Sequence, residues 1–121
     1  MAKITLSAQA GVVVDGEVSS MRASWTVDVN DVSEQTRGID TTYIQLKQDS
    51  FLFIAIANIG AEDAVLRVSV GANYLRFKVP ASGHLLIPGS GMLAGNLVPF
   101  IDPSIRTIAN TSRIKVIIGS E

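Results

Sequence analysis

Cysteine is absent from this 121-residue chain, which removes thiol chemistry, a disulfide framework and any zinc–thiolate site. Histidine occurs once, as His84, so the three-histidine metal cage that some small β-barrels carry cannot be built. Aromatic residues make up only 6%, too few for a base-stacking platform that holds single-stranded nucleic acid. No sign of charge dominates either. Ten Lys and Arg against eleven Asp and Glu leave a formal charge of −1, which argues against a basic nucleic-acid binder and against an acidic tail. No apolar run approaches the roughly 18 residues of a membrane helix. Met-Ala-Lys-Ile-Thr-Leu-Ser at the start offers no apolar core for a signal peptide.

What the chain does have is apolar material. Hydrophobic residues are 47% and charged residues 17%, against about 25% charged in an ordinary soluble domain. A domain of this length buries roughly two-thirds of its unfolded surface and needs no staple. The surplus therefore predicts that a partner covers part of the outside.

The apolar residues recur with a period of two, the signature of strands with one face buried. In Met21–Val29, Met21, Ala23, Trp25, Val27 and Val29 alternate with Arg22, Ser24, Thr26 and Asp28. Trp25 reads as a core anchor rather than a sugar platform, which would want several exposed aromatics. Leu75, Phe77 and Val79 alternate with Tyr74, Arg76 and Lys78; Leu66, Val68 and Val70 with Val65, Arg67 and Ser69; Ile114, Val116 and Ile118 with Arg113, Lys115 and Ile117. Phe51–Ala57 is apolar on both faces, which places it inside a sheet covered on each side, by a loop or by another subunit. Asp15-Gly16 between valine-rich segments predicts a type I′ hairpin turn. Further turns fall at 58–63, 71–73, 80–83 and 110–112. Many short strands with frequent turns define an all-β fold, an antiparallel β-sandwich of jelly-roll-like form.

Three segments stand apart. Residues 1–10 read as an extended N-terminal arm, followed by one domain over 11–121. The arm is expected to add a strand to a sheet edge, a neighbour's in preference to its own. Asn30–Asp40 is polar and predicts a helical turn capped by Asn30 or Asp31. Pro88–Pro103 reads as a long loop, yet it carries Met92, Leu93, Leu97, Val98, Phe100 and Ile101. Loops of that length are often functional. Ile4 and Leu6 of the arm, with Met92, Leu93, Leu97 and Phe100 of the loop, are the candidate interface residues.

The inventory for chemistry is thin. Gly89-Ser90-Gly91-Met92-Leu93-Ala94 spells G-x-G-x-x-A, but Pro99 and Pro103 forbid the helix that a dinucleotide site requires. His84 has Ser82 and Ser90 nearby without a nucleophile elbow. Asn58, Glu62 and Asp63 share a loop but lack EF-hand spacing. The sequence therefore predicts no catalytic residues, no cofactor and no metal. Arg67, Arg76, Lys78, Arg106, Arg113 and Lys115 read as outward charges, either a solvated face or salt-bridge donors toward an acidic partner subunit.

From Phe51 through Val65-Leu66-Arg67-Val68, Tyr74-Leu75-Arg76-Phe77-Lys78-Val79-Pro80, Ile105–Ala109 and Ile114–Gly119, the chain resembles small β-sandwich structural proteins of tailed-phage virions. These are head decoration or cement proteins and head–tail or tail accessory proteins. The resemblance covers about half the chain and carries no diagnostic motif, so it transfers no site residue. It implies a non-enzymatic virion subunit made in the host cytoplasm. Its partners would be itself, a trimer being one candidate symmetry, and the major capsid protein or another virion subunit. Direct contact with nucleic acid or membrane is not implied. A carbohydrate- or ligand-binding β-sandwich module is the alternative.

Overall fold

In the computed structural model, which describes residues 2–88 and 100–120, the period-two segments are strands throughout. β1 (Ala2–Val14) and β2 (Glu17–Val29) pair antiparallel from end to end. Asp15 and Gly16 between them take φ of 51° and 82°, the two positive values a type I′ turn requires and Asp-Gly tolerates. The chain continues through β3 (Asp31–Ile39), β4 (Ile44–Gln45), β5 (Phe53–Asn58), β6 (Ala64–Val70), β7 (Asn73–Val79), β8 (His84–Pro88), β9 (Ile101–Thr107) and β10 (Ser112–Ser120). Among the described residues there is no helix, hence none long and apolar enough to cross a membrane.

β3 to β10 form two four-stranded antiparallel sheets, ordered β3-β10-β5-β8 and β4-β9-β6-β7. The pairing is nested. β6 pairs with β7, β5 with β8, β4 with β9 and β3 with β10, as though one long hairpin had been rolled over on itself. Alternate side chains meet between the layers. Ile54, Ile56, Ile114, Val116 and Ile118 from one sheet and Leu66, Val68, Val79 and Ile105 from the other are at most 2% exposed and form one cluster. Burying each large apolar side chain contributes about 1.5–3 kcal/mol.

The double apolarity of β5 has a direct cause. Its inward residues Ile54 and Ile56 belong to the main core, whereas Phe53 faces the other way into a second cluster. There Val29, the last residue of β2, and Leu52 close over Phe53, with Leu86 and Ile117 alongside. Gly119 underlies the ring: a β-carbon there would stand 2.8 Å from Phe53 Cδ1 and 2.9 Å from Cζ, and closer still to Cε1. Asn30 N–H donates to Ser120 O at 3.0 Å and Leu52 N–H to Gly119 O at 2.8 Å. The hairpin is thus rooted on the outer face of the first sheet, and its base supplies the cover that the sequence demanded of a loop or a subunit.

A buried amide ties the layers together. Asn58, 1% exposed, donates through Nδ2 to Glu62 O at 2.7 Å and Val79 O at 3.1 Å. Its Oδ1 accepts from Gly60 N–H at 3.2 Å and Ser112 Oγ at 2.8 Å. Every donor and acceptor of the side chain is used, as burial of a polar group requires.

Two expectations are corrected. Asn30–Asp40 holds no helical turn; Asp31–Ile39 is β3, in register with β10 from Asp31↔Ser120 to Ile39↔Ser112. Its inward residues Ser33, Gln35 and Arg37 are polar and only half-buried at the sheet edge, so the alternation of hydrophobicity is missing. They bond along the strand instead, Gln35 Nε2 to Ser33 Oγ at 3.2 Å and Arg37 to Gln35 Oε1 at 3.4 Å. The loop expected over Pro88–Pro103 is also cut back at both ends, because Pro88 closes β8 and Ile101–Pro103 opens β9. Pro103 fits inside a sheet because the ladder is irregular there. The register shifts between Arg67 and Ser69, and Asp102 takes a φ of 51°, a bulge that removes the need for a proline N–H.

Candidate functional site

Thirteen residues in each strand give the β1–β2 hairpin a length of about 43 Å at ~3.3 Å per residue. The longest strand beneath it, with nine residues, spans about 30 Å, and four strands side by side about 15 Å. The hairpin therefore overhangs the sheet in any direction it runs. Its proximal part crosses the outer face of the first sheet. Thr5, Ser7 and Gln9 of β1 stand over Ala55, Ala57, His84, Leu86, Lys115 and Ile117, enclosing an open cleft of about 710 Å³. One side of the ribbon is held by polar contacts, Lys3 to Asp28 at 3.9 Å and Arg22 to Gln9 Oε1 at 3.3 Å. From Ala10 to Arg22 every residue is exposed, Val18 at 75% and Met21 at 70%. An isolated two-stranded ribbon is marginal in water, and this distal half leaves apolar surface and unused strand edges exposed.

The opposite side of the molecule is built differently. Outward positions of the second sheet are set by register: Val65 lies between Lys78 and Arg106, and Arg67 between Arg76 and Ser104. Tyr43, just before β4, and Tyr74 on β7 flank these arginines. The Arg67 guanidinium lies 4.0 Å from the Tyr43 ring centroid and 4.6 Å from that of Tyr74. Arg106 lies 5.1 Å from Tyr43, and Arg76 lies 5.8 Å from Tyr74. The aromatic faces hold the cations flat against the sheet through their quadrupoles, at about 0.5–1 kcal/mol for an exposed pair. Among the described residues none of these three arginines makes an ion pair, whereas Lys78 is engaged by Asp63 at 3.3 Å. Burial opposes ionisation of the Tyr43 hydroxyl, but the nearby donors of Arg106 and Arg76 and the charges of Arg106 and Arg67 outweigh it, and its pKa falls below the ordinary phenol value. Among the described residues, Tyr43 Oη and Arg106 Nε are buried with no hydrogen-bond partner. The face is a preorganised set of guanidinium groups in want of anionic acceptors.

The residues singled out from sequence are dispersed by this arrangement. Ile4 and Leu6 lie in β1, opposite Val27 and Trp25 in the ladder; their side chains, like that of Trp25, lie outside the described residues. Met92, Leu93 and Leu97 also lie outside them, with Ser90 and the G-x-G-x-x-A segment. Phe100 is half-buried and packs on the main core. β1 continues past Ala10 to Val14 and pairs with β2 of its own chain. His84 is exposed at the start of β8, opposite Ala57. Asn58, Glu62 and Asp63 do not converge on one point. Asn58 is consumed by the contacts above, and Asp63 accepts from Ala81 N–H at 3.0 Å and pairs with Lys78. Of the six outward cations, Arg67, Arg76, Lys78 and Arg106 share the second sheet, while Arg113 and Lys115 lie on β10 of the first. Tyr74 was read as outward beside Arg76, but Tyr43 was missed, because it precedes a strand of two residues that has no periodicity to read.

The fold and the surface define a class: a two-layered antiparallel β domain with a projecting hairpin on one outer face and an arginine–tyrosine face on the other. Comparison with protein-family models, with curated proteins and with solved structures finds no match.

Proposed function

We propose that this chain is a non-enzymatic structural subunit that acts in many copies, docking on further copies of itself and on capsid or tail subunits of a virion, in a decoration or cement role. The observation that carries this reading is the hairpin, whose distal half is fully exposed, rich in valine and longer than its own sheet can cover. Such an arm is stable when docked and costly when free. The nested strand order supports a jelly-roll arrangement of β3–β10, an architecture used by viral capsid domains. The resemblance of the C-terminal half to phage virion proteins supplies the virion address.

The test is the mass of the purified chain, by sedimentation and light scattering, beside a variant with a shortened arm. Deleting Ala10–Val14 and Glu17–Met21 leaves Asp15-Gly16 between Gln9 and Arg22, which already face each other in the ladder. The full chain is expected to associate, and the shortened chain to fall toward monomer with its melting temperature retained. A full chain that stays monomeric to about 1 mM, the weakest affinity worth calling an interface, refutes self-assembly. Capsid, portal or tail genes beside its gene would support the virion address, and purely metabolic neighbours would count against it. The rival, a ligand-binding module, is favoured by the cleft beneath the hairpin. It predicts a saccharide or small ligand that raises the melting temperature while the mass stays that of one chain.

A further inference from the structure

We propose that the hairpin tip of one copy docks through Asp15 and Glu17 on the Tyr43–Arg67–Arg76–Arg106 face of a second copy, an inference that rests on the assembly reading above. Three observations carry it. First, the acids at the tip stand without partners. Among the described residues Asp28, Glu34 and Asp63 are held in ion pairs, and Asp40 and Asp102 accept hydrogen bonds. Asp15 and Glu17, like Asp31 and Asp49, make no such contact; what sets the pair at the tip apart is that they flank one glycine at the far end of a ribbon of about 43 Å. Second, the arginine face offers the complement: three guanidinium groups that make no ion pair among the described residues, stacked on tyrosine rings so that little side-chain freedom remains to be lost on binding. Third, the tip cannot satisfy its own face. The hairpin is rooted by Val29 and Asn30 on the outside of the β3-β10-β5-β8 sheet, and the arginines lie on the outside of the other one. The occupant is therefore another molecule. Exposed Val12, Val14 and Val18 around the acids add apolar surface that can rest against the Tyr74 ring, itself 51% exposed.

A contact of tip to face uses two different patches. It is a heterologous interface, which closes into a ring if the rotation per copy divides a full turn and otherwise grows as a filament. Because Asp15, Glu17 and Arg76 are exposed, the contact weakens as salt screens it.

The experiment is a charge exchange followed by sedimentation velocity. Asp15→Asn with Glu17→Lys reverses the tip while keeping a residue at position 15 that tolerates positive φ. Arg67→Glu with Arg76→Glu reverses the face. Each variant alone is expected to associate at least about tenfold more weakly than the unaltered chain, within the range of close interfacial charge pairs. An equimolar mixture of the two should recover association, since a positive tip then meets a negative face; recovery also shows that both variants are folded. Raising the salt should dissociate the unaltered chain. If either variant assembles as the unaltered chain does, or the mixture recovers nothing while both variants keep their melting temperature, the docking is overturned and the assembly reading stands. If the unaltered chain is monomeric throughout, that reading falls and the docking falls with it.

Discussion

Replacing Gly119 by alanine tests how the hairpin is rooted. The new methyl group would enter the space of the Phe53 ring, 2.8 Å from Cδ1 and 2.9 Å from Cζ. The ring cannot swing away, because it is fully buried under Val29 and Leu52 and beside Leu86 and Ile117. Overpacking of this kind costs about 1–3 kcal/mol. At about 4–8 °C per kcal/mol for a domain near this size, the melting temperature should fall by roughly 4–24 °C. The strain has one address, which makes it separable. Phe53→Ala alone should cost about 3–5 kcal/mol, but in that background Gly119→Ala should cost almost nothing, leaving a coupling of about 1–3 kcal/mol in a double-mutant cycle. Urea unfolding of the four proteins measures it. Hydrogen exchange should report faster opening at Leu52 and Asn30, whose amides bond Gly119 O and Ser120 O. A neutral Gly119→Ala, or strictly additive costs, would refute the proposed packing of the second core.

Asn58→Asp should destabilise more at neutral than at acid pH, because a carboxylate there faces the carbonyls of Glu62 and Val79, whereas the protonated acid can still donate one bond; urea titrations at the two pH values check it. Asp63 has its pKa lowered by the Ala81 amide and by Lys78. Its stabilisation is complete above the unfolded carboxylate value of about 3.9 and is lost as pH falls through its lowered folded value; Asp63→Asn should flatten that acid limb in thermal melts. Tyr43 is held below the ordinary phenol range by the arginines, so the fold gains stability as pH rises from the lowered folded value toward the unfolded one near 10. Arg106→Gln should raise that ionisation toward the ordinary phenol value in a phenolate absorbance titration, and an unchanged Tyr43 would show that the guanidinium is not its neighbour in solution.

Periodicity made most of the body legible from sequence. β6, β7 and β10 lie where Leu66 and Val68, Phe77 and Val79, and Ile114, Val116 and Ile118 put them, and the Asp-Gly turn is of the expected type. The double apolarity of β5 announced a second covered face. What hid were elements whose identity comes from their neighbours. β3 is a strand because β10 offers it a ladder; its own Ser33, Gln35 and Arg37 carry no apolar rhythm. β4 is two residues held by β9. The start of β9 was masked by Pro103, which reads as a breaker until the bulge at Asp102 is known. The candidate site was half visible: its arginines were recognised as outward charges. Tyr74 was legible beside Arg76 on β7, but Tyr43 lies before β4, far from Arg67 and Arg106 in sequence, and is brought to them only by the rolled pairing.

That rolled pairing also dictates an order of events. β6 and β7 are joined by a two-residue turn opened by Gly71 at a φ of 60°, the cheapest closure in the chain. Each further pair, β5 with β8, then β4 with β9, then β3 with β10, spans a longer stretch. β10 comes last in sequence yet sits between β3 and β5. Until residues 112–120 leave the ribosome, β3 has no ladder, β5 is an apolar edge, and Phe53 lacks the Gly119 floor beneath it. A nascent chain in that condition exposes a sticky strand from the emergence of β5 to that of β10. This delays folding until β10 has emerged and makes it slow, as dominance by distant contacts requires. A stalled or truncated product lacking β10 should be found with chaperones or in aggregates rather than as a smaller folded domain.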